Sequence, residues 1–203
     1  MAGFIFTGAA SGDFKAVANR SALCELTSLA EITFMNQTHS DRVHVIKAAV
    51  ASGIDGDAII TTSKGLGLAV LAADCLPIVL LSSTVVGAVH AGRIGVGSDL
   101  IATTVRAMRK EGATEIRAVI GPAICAECYE VSPEMYEEFL AIRPQAATSR
   151  QRHALDLKEA ARAILEELDV QVDDSGICTK ENPYYFSYRK DATAHRNVGV
   201  VWL

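Results

Sequence analysis

The stretch Gly65–Gly97, GLGLAVLAADCLPIVLLSSTVVGAVHAGRIGVG, predicts three short strands at the centre of the fold. We place these strands at about Leu68–Leu71, Ile78–Leu81 and Val86–Val89, in runs of Val, Leu and Ala that do not alternate with polar residues. Apolar runs of this kind are typical of strands that are buried on both faces. The sequence therefore predicts a covered sheet in an α/β protein.

Three polar side chains stand out in this stretch, because they lie where the predicted strands end. Asp74 and Cys75 precede a Leu-Pro step, and the chain turns there because the residue before a proline avoids the helical conformation. His90 ends the third strand and opens into a glycine-rich loop. Polar groups that a rigid scaffold holds at strand ends are typical of a functional site.

Other strands and helices are expected on both sides of this stretch. Further strands are predicted at Phe4–Thr7, Ile32–Asn36, Val43–Ile46, within 55–62, and at Ile116–Ile120, Val170–Val172 and Val198–Trp202. Helices are predicted at Asp13–Leu26, Ser98–Lys110, Pro133–Ile142 and Asp156–Leu168, with a polar loop over 143–154. No internal repeat, low-complexity segment or linker divides the sequence, so we expect a single domain over residues 1–203.

The composition argues against several classes of partner. The net charge is −5 and no basic cluster is present, which argues against nucleic acid. The most apolar stretch, Gly65–Leu81, is too short for a membrane span and is interrupted by Asp74 and Pro77. The first residues lack the basic segment of a signal peptide. Because the five cysteines are an odd number, we expect reduced thiols and a cytoplasmic protein.

His39, Cys75 and His90 form the first candidate site. Two imidazoles and one thiolate are ligands that a catalytic zinc ion takes, with a fourth position left for water. The three residues are far apart in the sequence, so the pattern alone leaves two other interpretations open. One is a nucleophile–base pair of Cys75 and His90, as in cysteine hydrolases. The other is a buried thiol with two hydrogen-bonded histidines.

The glycine-rich segment AGRIGVGSDL, residues 91–100, is the second candidate site. Its glycines would allow backbone N–H groups to converge on an anion at the start of the next helix, and Arg93 adds a positive charge. Packing between a strand and a helix explains the same glycines equally well.

Two further segments have motif-like spacing or composition. CAEC, residues 125–128, has the spacing of a redox pair or of half a zinc site. No second CxxC follows, so two ligands would be missing and a structural role is favoured. Residues 178–197, CTKENPYYFSYRKDATAHRN, combine aromatic side chains with Lys180, Arg189 and Arg196. They suit a lid that stacks on a base and binds an anion, or a loop clamped onto the body by its Tyr and Phe residues.

Six blocks of the sequence, taken in order, resemble the YfiH/laccase-domain family. They are QTH (37–39), DGDAIITT (55–62), AADCLPIVL (72–80), AVHAG (88–92), IGPAICAECYEV (120–131) and CT…YYFSYRKD (178–191). The resemblance extends from about Gln37 to Leu203. Proteins of this family have been called polyphenol oxidases and, more recently, purine nucleoside phosphorylases.

The resemblance implies a fold, a metal site and an activity. The implied fold is α/β (α+β), a layered sandwich of mixed β-sheets flanked by helices, and it is similar to that of a toxin family of cysteine hydrolases. The implied cofactor is one Zn²⁺ ion, since the ligand positions of the family fall on His39, Cys75 and His90. The implied activity is phosphorolysis of adenosine, inosine and methylthioadenosine, together with hydrolytic deamination of adenosine.

The sequence departs from the family pattern at several positions. The block H-A-G-W-R-G reads HAGRIG in residues 90–95, so that Ile94 replaces the family arginine and Arg93 is the substitute one position earlier. Ser40 replaces the glycine of Q-x-H-G, and His195 replaces the glycine before the last arginine of the C-terminal block. The N-terminal region is short and lacks the G-G-V-S segment. We expect the metal site to survive these changes and substrate binding to be the property that they affect.

The two implied reactions assign roles to further residues. In phosphorolysis, the Gly92–Gly97 loop, including Gly95 and helped by Arg93 or Arg189, would hold phosphate beneath the ribose. In deamination, water activated by zinc would attack the purine carbon that bears the amino group, and Asp74 would transfer the proton. The H-x-E signature of ordinary zinc nucleobase deaminases is absent.

Three other functions stay open at the level of sequence. Five histidines are too few for a multicopper oxidase, but a site of two histidines and one cysteine could bind a single Cu²⁺ ion, as in a copper-binding polyphenol oxidase. A cysteine hydrolase or amidase, acting for example on cell-wall precursors, would use Cys75 and His90. A descendant without catalytic activity would bind zinc only. The expected partners are purine nucleosides and phosphate, without nucleic acid or membrane.

Overall fold

The structure is a computed structural model that describes residues 2–51, 53–148 and 152–203. The strands are β1 (Gly3–Phe6), β2 (Glu31–Asn36), β3 (Val43–Ile46), β4 (Ile54–Asp55), β5 (Ala58–Thr61), β6 (Leu66–Ala72), β7 (Leu76–Leu81), β8 (Val86–Ala91), β9 (Arg117–Ile120), β10 (Gln171–Asp174) and β11 (Asn197–Trp202). The helices are α1 (Arg20–Thr27), α2 (Arg93–Gly97), α3 (Leu100–Lys110), α4 (Pro133–Ile142), α5 (Leu157–Glu166) and α6 (Tyr188–Asp191).

The strands form two mixed sheets. The five-stranded sheet has the order β1-β11-β6-β2-β4, and the six-stranded sheet has the order β10-β9-β7-β8-β5-β3. Each sheet contains both kinds of pairing: β2 runs parallel and β11 antiparallel to β6, while β3 runs parallel and β8 antiparallel to β5. The predicted α/β sandwich with mixed sheets is confirmed.

Alternate side chains of the central strands enter different layers of the core, as the two-residue period of a strand requires. In β7, Val79 packs between the two sheets, whereas Ile78 and Leu80 belong to the core that the helices α3, α4 and α5 cover. In β11, Val201 packs between the sheets and Val200 shares a core with Leu23 of α1. Burial on both faces explains the apolar runs without alternation.

The three strands of the opening stretch do not lie side by side in one sheet. β6 belongs to the five-stranded sheet, and β7 and β8 are neighbours in the six-stranded sheet. The chain therefore crosses from one sheet to the other between Ala72 and Leu76. Asp74 lies in this crossing with a φ of +92°, a backbone conformation that a non-glycine residue seldom adopts.

Helix α1 begins later than the sequence predicts, at Arg20 rather than at Asp13. Asp13 does not begin a helix, because its carboxylate also binds groups outside the predicted helix. It accepts hydrogen bonds from the backbone N–H groups of Lys15 and Arg196, and it pairs with the His195 ring at 3.0 Å. Asp13 thus ties the N-terminal segment to the C-terminal one.

The predicted glycine-rich loop at 91–97 is wrong, because Arg93–Gly97 form the short helix α2. Gly92 precedes this helix, and its carbonyl accepts the N–H of Val96 at 2.9 Å. Ser98 is extended, so the chain breaks between α2 and α3, and α3 begins at Leu100 rather than at Ser98.

The C-terminal half is closer to the prediction. Helix α4 has the predicted bounds, and the Ser132 hydroxyl caps it by accepting the N–H of Met135 at 3.2 Å. The strand predicted at Val170–Val172 is β10, which begins one residue later and extends to Asp174. The predicted polar loop at 143–154 contains a 3₁₀ turn at Pro144–Ala146, and its residues 149–151 lie outside the described residues.

Candidate metal centre and adjoining cavity

The fold brings His39, Cys75 and His90 together at the crossing between the two sheets. The nearest ligand atoms of the two rings and the sulfur all lie within 4.8 Å of one another. The two imidazole centroids are 4.9 Å apart. His39 follows β2, Cys75 precedes β7 and His90 lies in β8, so only the tertiary fold assembles the cluster. Two imidazoles and a thiol are a donor set that fits Zn²⁺.

Asp57 fixes the orientation of the His90 ring. Its Oδ1 lies 2.8 Å from Nδ1 of His90, and both side chains are buried. This contact leaves Nε2 of His90 as the nitrogen available to the cluster, the arrangement in which a carboxylate orients a metal-binding histidine. Burial opposes protonation of His90, but hydrogen bonds to Asp57 and Cys75 outweigh it and raise the pKa of His90 to about 9.

The same carboxylate holds the loop that carries His39. Asp57 accepts the backbone N–H groups of Thr38 at 3.2 Å, His39 at 3.2 Å and Ser40 at 2.6 Å, and also the Ser40 hydroxyl at 2.8 Å. Burial alone would raise the pKa of Asp57, but the hydrogen bonds from His90 and Ser40 hold that pKa well below its usual range. Asp57 therefore positions both histidines.

Asp57 lies in the DGDAIITT block, and one signal in the sequence points to it. It directly precedes the wholly buried strand β5, and an acidic residue at such a place needs several partners to remain charged. The sequence cannot show that these partners come from the loop around His39 and from β8.

Gln37 anchors the other side of the His39 loop. Its side-chain amide donates to the Leu71 carbonyl at 2.7 Å, and its side-chain oxygen accepts the Leu71 N–H at 2.8 Å. The Gln37 side chain thus forms with Leu71 the two hydrogen bonds that a neighbouring strand would form at the end of β6.

Gly92 leaves room for the cluster. A Cβ atom at this position would lie 3.0 Å from Cys75 Sγ and 3.2 Å from His39 Nδ1. The backbone of Gly92 is extended, so the limit on a larger residue is space and not conformation. We expect Gly92→Ala to push Cys75 and His39 apart.

The Gly92→Ala variant should bind Zn²⁺ roughly 10–100-fold more weakly than the unchanged protein, as is typical when residues supporting a metal site are altered. Competition with a metal-binding dye measures this affinity. Gly112→Ala is the control, because Gly112 has a φ of +97° and no neighbour within 4 Å, so that its change strains the backbone away from the cluster. Equal metal affinity in the Gly92 variant would contradict the expectation.

A cavity of about 540 Å³ opens beside the cluster. Its volume lies within the range of small-molecule sites, roughly 300–1,000 Å³. Its walls combine the three cluster residues with basic, aromatic and apolar side chains. They are Lys15, Arg20, Met35, Asn36, Gln37, His39, Leu71, Ala72, Ala73, Asp74, Cys75, His90, Arg93, Ile124, Tyr129, Leu157, Tyr188, Arg189 and Arg196.

The cavity is basic although the chain as a whole is acidic. Five cations line it: Lys15, Arg20, Arg93, Arg189 and Arg196. Among the described residues, none of these five forms an ion pair with a carboxylate. Uncompensated positive charge in a concave site attracts anions.

Among the described residues of the cavity wall, Asp74 is the one that carries a carboxylate, and each of its two oxygens accepts a hydrogen bond. Oδ1 accepts the Thr179 hydroxyl at 2.7 Å, and Oδ2 accepts the backbone N–H of Arg189 at 2.6 Å. Its carbonyl accepts the N–H of Ile124 at 3.0 Å. Asp74 thus joins the crossing between the sheets to the segment that carries Arg189.

Arg93 and Arg189 approach the same aromatic ring. The Arg189 guanidinium carbon lies 4.7 Å from the Tyr129 ring centroid, and Arg93 lies against the Tyr129 hydroxyl. Burial raises the pKa of Tyr129. Tyr129 comes from the ICAECYEV block, where the two cysteines are the more conspicuous residues.

Ile94 and Gly95, the two residues that follow Arg93, are not among the residues of the cavity wall. Ile94, at the place of the family arginine, is 52% exposed, whereas Arg93 lines the cavity. Gly95, predicted to bind phosphate, is buried in α2, where a Cβ atom would lie 3.1 Å from the Leu100 side chain.

A second cluster lies outside this cavity wall. Cys125, Cys128, Cys178 and Glu181 also bring their ligand atoms within 4.8 Å of one another. The expectation that the CAEC segment lacks two partners is therefore wrong. The missing partners come from a segment that begins 50 residues after Cys128.

No helix in the described residues is long and apolar enough to cross a membrane. The apolar stretch Gly65–Leu81 forms two strands and the crossing between them.

Fold and site together define an α/β protein with a small-molecule cavity beside a cluster of one thiol and two imidazoles. Residues 7–203 match the family described as multi-copper polyphenol oxidoreductase laccase. The chain belongs to this family, the YfiH or DUF152 family, as the resemblance of its sequence blocks predicts.

Curated relatives carry the name purine nucleoside phosphorylase. One from Streptomyces coelicolor is 42% identical over 183 residues, which cover 86% of this chain and 76% of the relative. One from Corynebacterium glutamicum is 40% identical over 205 residues, which cover 94% of this chain and 83% of the relative.

Solved structures support the fold. The YfiH protein of Bacillus licheniformis has a TM-score of 0.84 at 29% identity, with 98% of this chain and 85% of that chain covered. A Neisseria meningitidis protein of the DUF152 family has a TM-score of 0.82 at 29% identity, with 99% and 90% covered.

Proposed function

We propose that this protein is a zinc-dependent purine nucleoside phosphorylase. The observation that carries the proposal is the cavity, whose wall holds five cations and one carboxylate, beside the cluster of His39, Cys75 and His90. The curated relatives named purine nucleoside phosphorylase supply the class of substrate. Phosphorolysis needs a nucleoside and a phosphate in one site, and a basic cavity of this volume suits both.

Phosphate would bind at the basic side of the cavity. Arg93 and Arg189 offer planar guanidinium groups, which bind phosphate oxygens in pairs. Tyr129 and Tyr188 provide aromatic surface on which a purine can stack. Substrates of this class are adenosine, inosine and methylthioadenosine.

The metal would be held by His39, Cys75 and His90. A bound Zn²⁺ ion supplies Lewis acidity, which favours the build-up of negative charge on a substrate oxygen. Asp57 keeps both histidines oriented for this role, and Gly92 keeps the space around Cys75 open.

The proposed reaction exchanges one bond for another at the ribose. A phosphate oxygen forms a bond to C1′ of the ribose, and the bond between C1′ and N9 of the purine breaks. The electron pair of the broken bond leaves with the base, which takes up a proton. The products are ribose 1-phosphate and the free purine, and the cations hold phosphate in position for the attack.

Asp74 receives a positioning role in this proposal. Both of its carboxylate oxygens already accept hydrogen bonds, from Thr179 and from the backbone of Arg189. It therefore holds the C-terminal wall of the cavity, and Arg189 contacts phosphate. Deamination of adenosine, which would use Asp74 to transfer a proton, ranks below phosphorolysis because the curated relatives are named for phosphorolysis.

The proposal is tested by incubating the purified protein with inosine in the presence and absence of phosphate. We expect hypoxanthine and ribose 1-phosphate in equal amounts, and only when phosphate is present. Release of hypoxanthine without phosphate would show a hydrolase instead. Elemental analysis of the same sample separates zinc from copper, and stoichiometric copper would support the polyphenol oxidase alternative.

Arg93→Gln tests the phosphate site. Loss of one charge-assisted hydrogen bond, about 1.5–3 kcal/mol, should raise the KM for phosphate roughly 10–100-fold. The KM for inosine should change little. Arg106→Gln is the matched control, because Arg106 is exposed and paired with Asp99 at 2.7 Å. An unchanged KM for phosphate in the Arg93 variant would exclude this arginine from the phosphate site.

A further inference from the structure

We propose that the chain binds a second metal ion, a structural Zn²⁺ held by Cys125, Cys128, Cys178 and Glu181. This inference is independent of the proposed phosphorolysis. None of these four residues is among those that line the cavity, and none has a role in the proposed phosphorolysis.

The four donor atoms have the spacing that a tetrahedral zinc site needs. They lie within 4.8 Å of one another. A Zn–S distance of about 2.3 Å places the sulfurs of a tetrahedral site about 3.8 Å apart, so only a small contraction is required. Three thiols and one carboxylate select a thiophilic ion such as zinc over Mg²⁺ or Ca²⁺.

The sequence supplies these donors as two short loops of the same length. Cys125 and Cys128 are separated by two residues, and so are Cys178 and Glu181. The second loop therefore resembles a CxxC pair in which glutamate replaces the second cysteine. Two such pairs make up the ligand set of many structural zinc sites.

Backbone N–H groups surround the first sulfur of each loop. The N–H of Cys125 donates to Cys178 Sγ at 3.3 Å, and those of Lys180 and Glu181 also face this sulfur. The N–H of Cys128 faces the sulfur of Cys125. These N–H groups fix the positions of the two sulfurs.

A short backbone pairing holds the two loops in register. Ala123 and Cys178 form a parallel bridge, in which the Ala123 N–H donates to the Ile177 carbonyl at 3.3 Å and the Thr179 N–H donates to the Ala123 carbonyl at 3.0 Å. The donors are therefore brought together by the fold on both sides, and Cys128 Sγ already lies 3.6 Å from a Glu181 oxygen.

A disulfide explains this cluster less well than a metal does. A single disulfide would use two of the three sulfurs and would leave the third sulfur and Glu181 without a role. A zinc ion uses all four side chains at once.

The second ion would stabilise the wall of the cavity from outside. Thr179, whose hydroxyl binds Asp74 at 2.7 Å, directly follows Cys178. Ile124, whose N–H binds the Asp74 carbonyl, directly precedes Cys125. A zinc ion between the two loops would therefore fix both segments that hold Asp74.

The test is the zinc content of the purified protein and of four variants, measured by elemental analysis. We expect Cys178→Ser to lose about one zinc ion per chain relative to the unchanged protein. His39→Ala should lose a different ion and keep this one, and the double variant should lose both. Cys24→Ser is the control, since this cysteine lies in α1 and outside both clusters.

A second measurement uses the unchanged protein and does not depend on how the variants fold. Alkylation followed by peptide mapping should show Cys125, Cys128 and Cys178 protected, and a chelator should expose all three together. Equal zinc content in Cys178→Ser and the unchanged protein would overturn the proposal. A disulfide among these cysteines, or stoichiometric iron or copper on them, would overturn it as well.

Discussion

Replacing His39 with alanine is expected to remove the metal of the first centre and to lower kcat/KM for inosine phosphorolysis roughly a thousandfold or more. In the proposed reaction a bound metal would contribute several kcal/mol to the transition state, and each 1.36 kcal/mol corresponds to a factor of about ten. His39 is exposed at the cavity and its backbone N–H stays available to Asp57 in the variant, so the fold should survive. Elemental analysis and initial rates on the same sample measure both effects.

The matched control is His44→Ala, because the His44 ring contacts the backbone carbonyl of Asp55 at 3.0 Å and lies outside the cluster. The His39 variant also separates the proposed enzyme from its main alternative. A cysteine hydrolase built on Cys75 and His90 needs no third residue, so it would lose the metal and keep its turnover. Amide hydrolysis that survives loss of the metal would therefore favour the hydrolase, whereas retained inosine phosphorolysis would exclude the metal from the proposed reaction.

Asp57→Asn is expected to have the largest effect on stability. Its Oδ2 accepts the N–H groups of Thr38 and Ser40, and its Oδ1 accepts those of His39 and His90. An asparagine has one acceptor oxygen, so its amide nitrogen would face N–H donors in a buried site. Breaking a buried charged pair costs about 3–5 kcal/mol. Such a loss lowers the melting temperature of a chain of this size by roughly 6–20 °C.

Thermal unfolding followed by circular dichroism measures this change, and a zinc titration of the same variant should show weaker binding. Asp55→Asn is the control within the same DGD sequence, since Asp55 is exposed and accepts one hydrogen bond, from Asn36 at 3.1 Å. A melting temperature that falls equally in both variants would show that Asp57 has no special role.

Much of this fold can be predicted from the sequence, because the central strands are buried on both faces. Such strands need continuous apolar runs, and β6, β7 and β8 each contain one of the predicted segments. For the same reason, the candidate metal ligands can be recognised in the sequence. Cys75 and His90 interrupt apolar runs in which a polar residue needs an explanation, and the QTH block adds His39.

The remaining features depend on contacts between distant segments. Asp13 resembles a helix cap in sequence, but its carboxylate binds Arg196 across the molecule. Asp57 is one of several acidic residues near a turn, and its five donors become visible only in the fold, where the loop around His39 and strand β8 meet it. Glu181 belongs to the second cluster, but no known spacing of metal ligands in a sequence connects it with Cys125.

The order of the strands has a consequence for how the protein is made. β11 follows every other strand in the chain, yet it lies between β1 and β6 in the five-stranded sheet. On the ribosome, the edge of β6 stays open until a partner 125 residues downstream is synthesised, as the bond from Asn197 to Ala72 shows. Open edges of apolar strands promote aggregation. Newly made chains are therefore expected to expose an edge that favours aggregation until β11 is inserted.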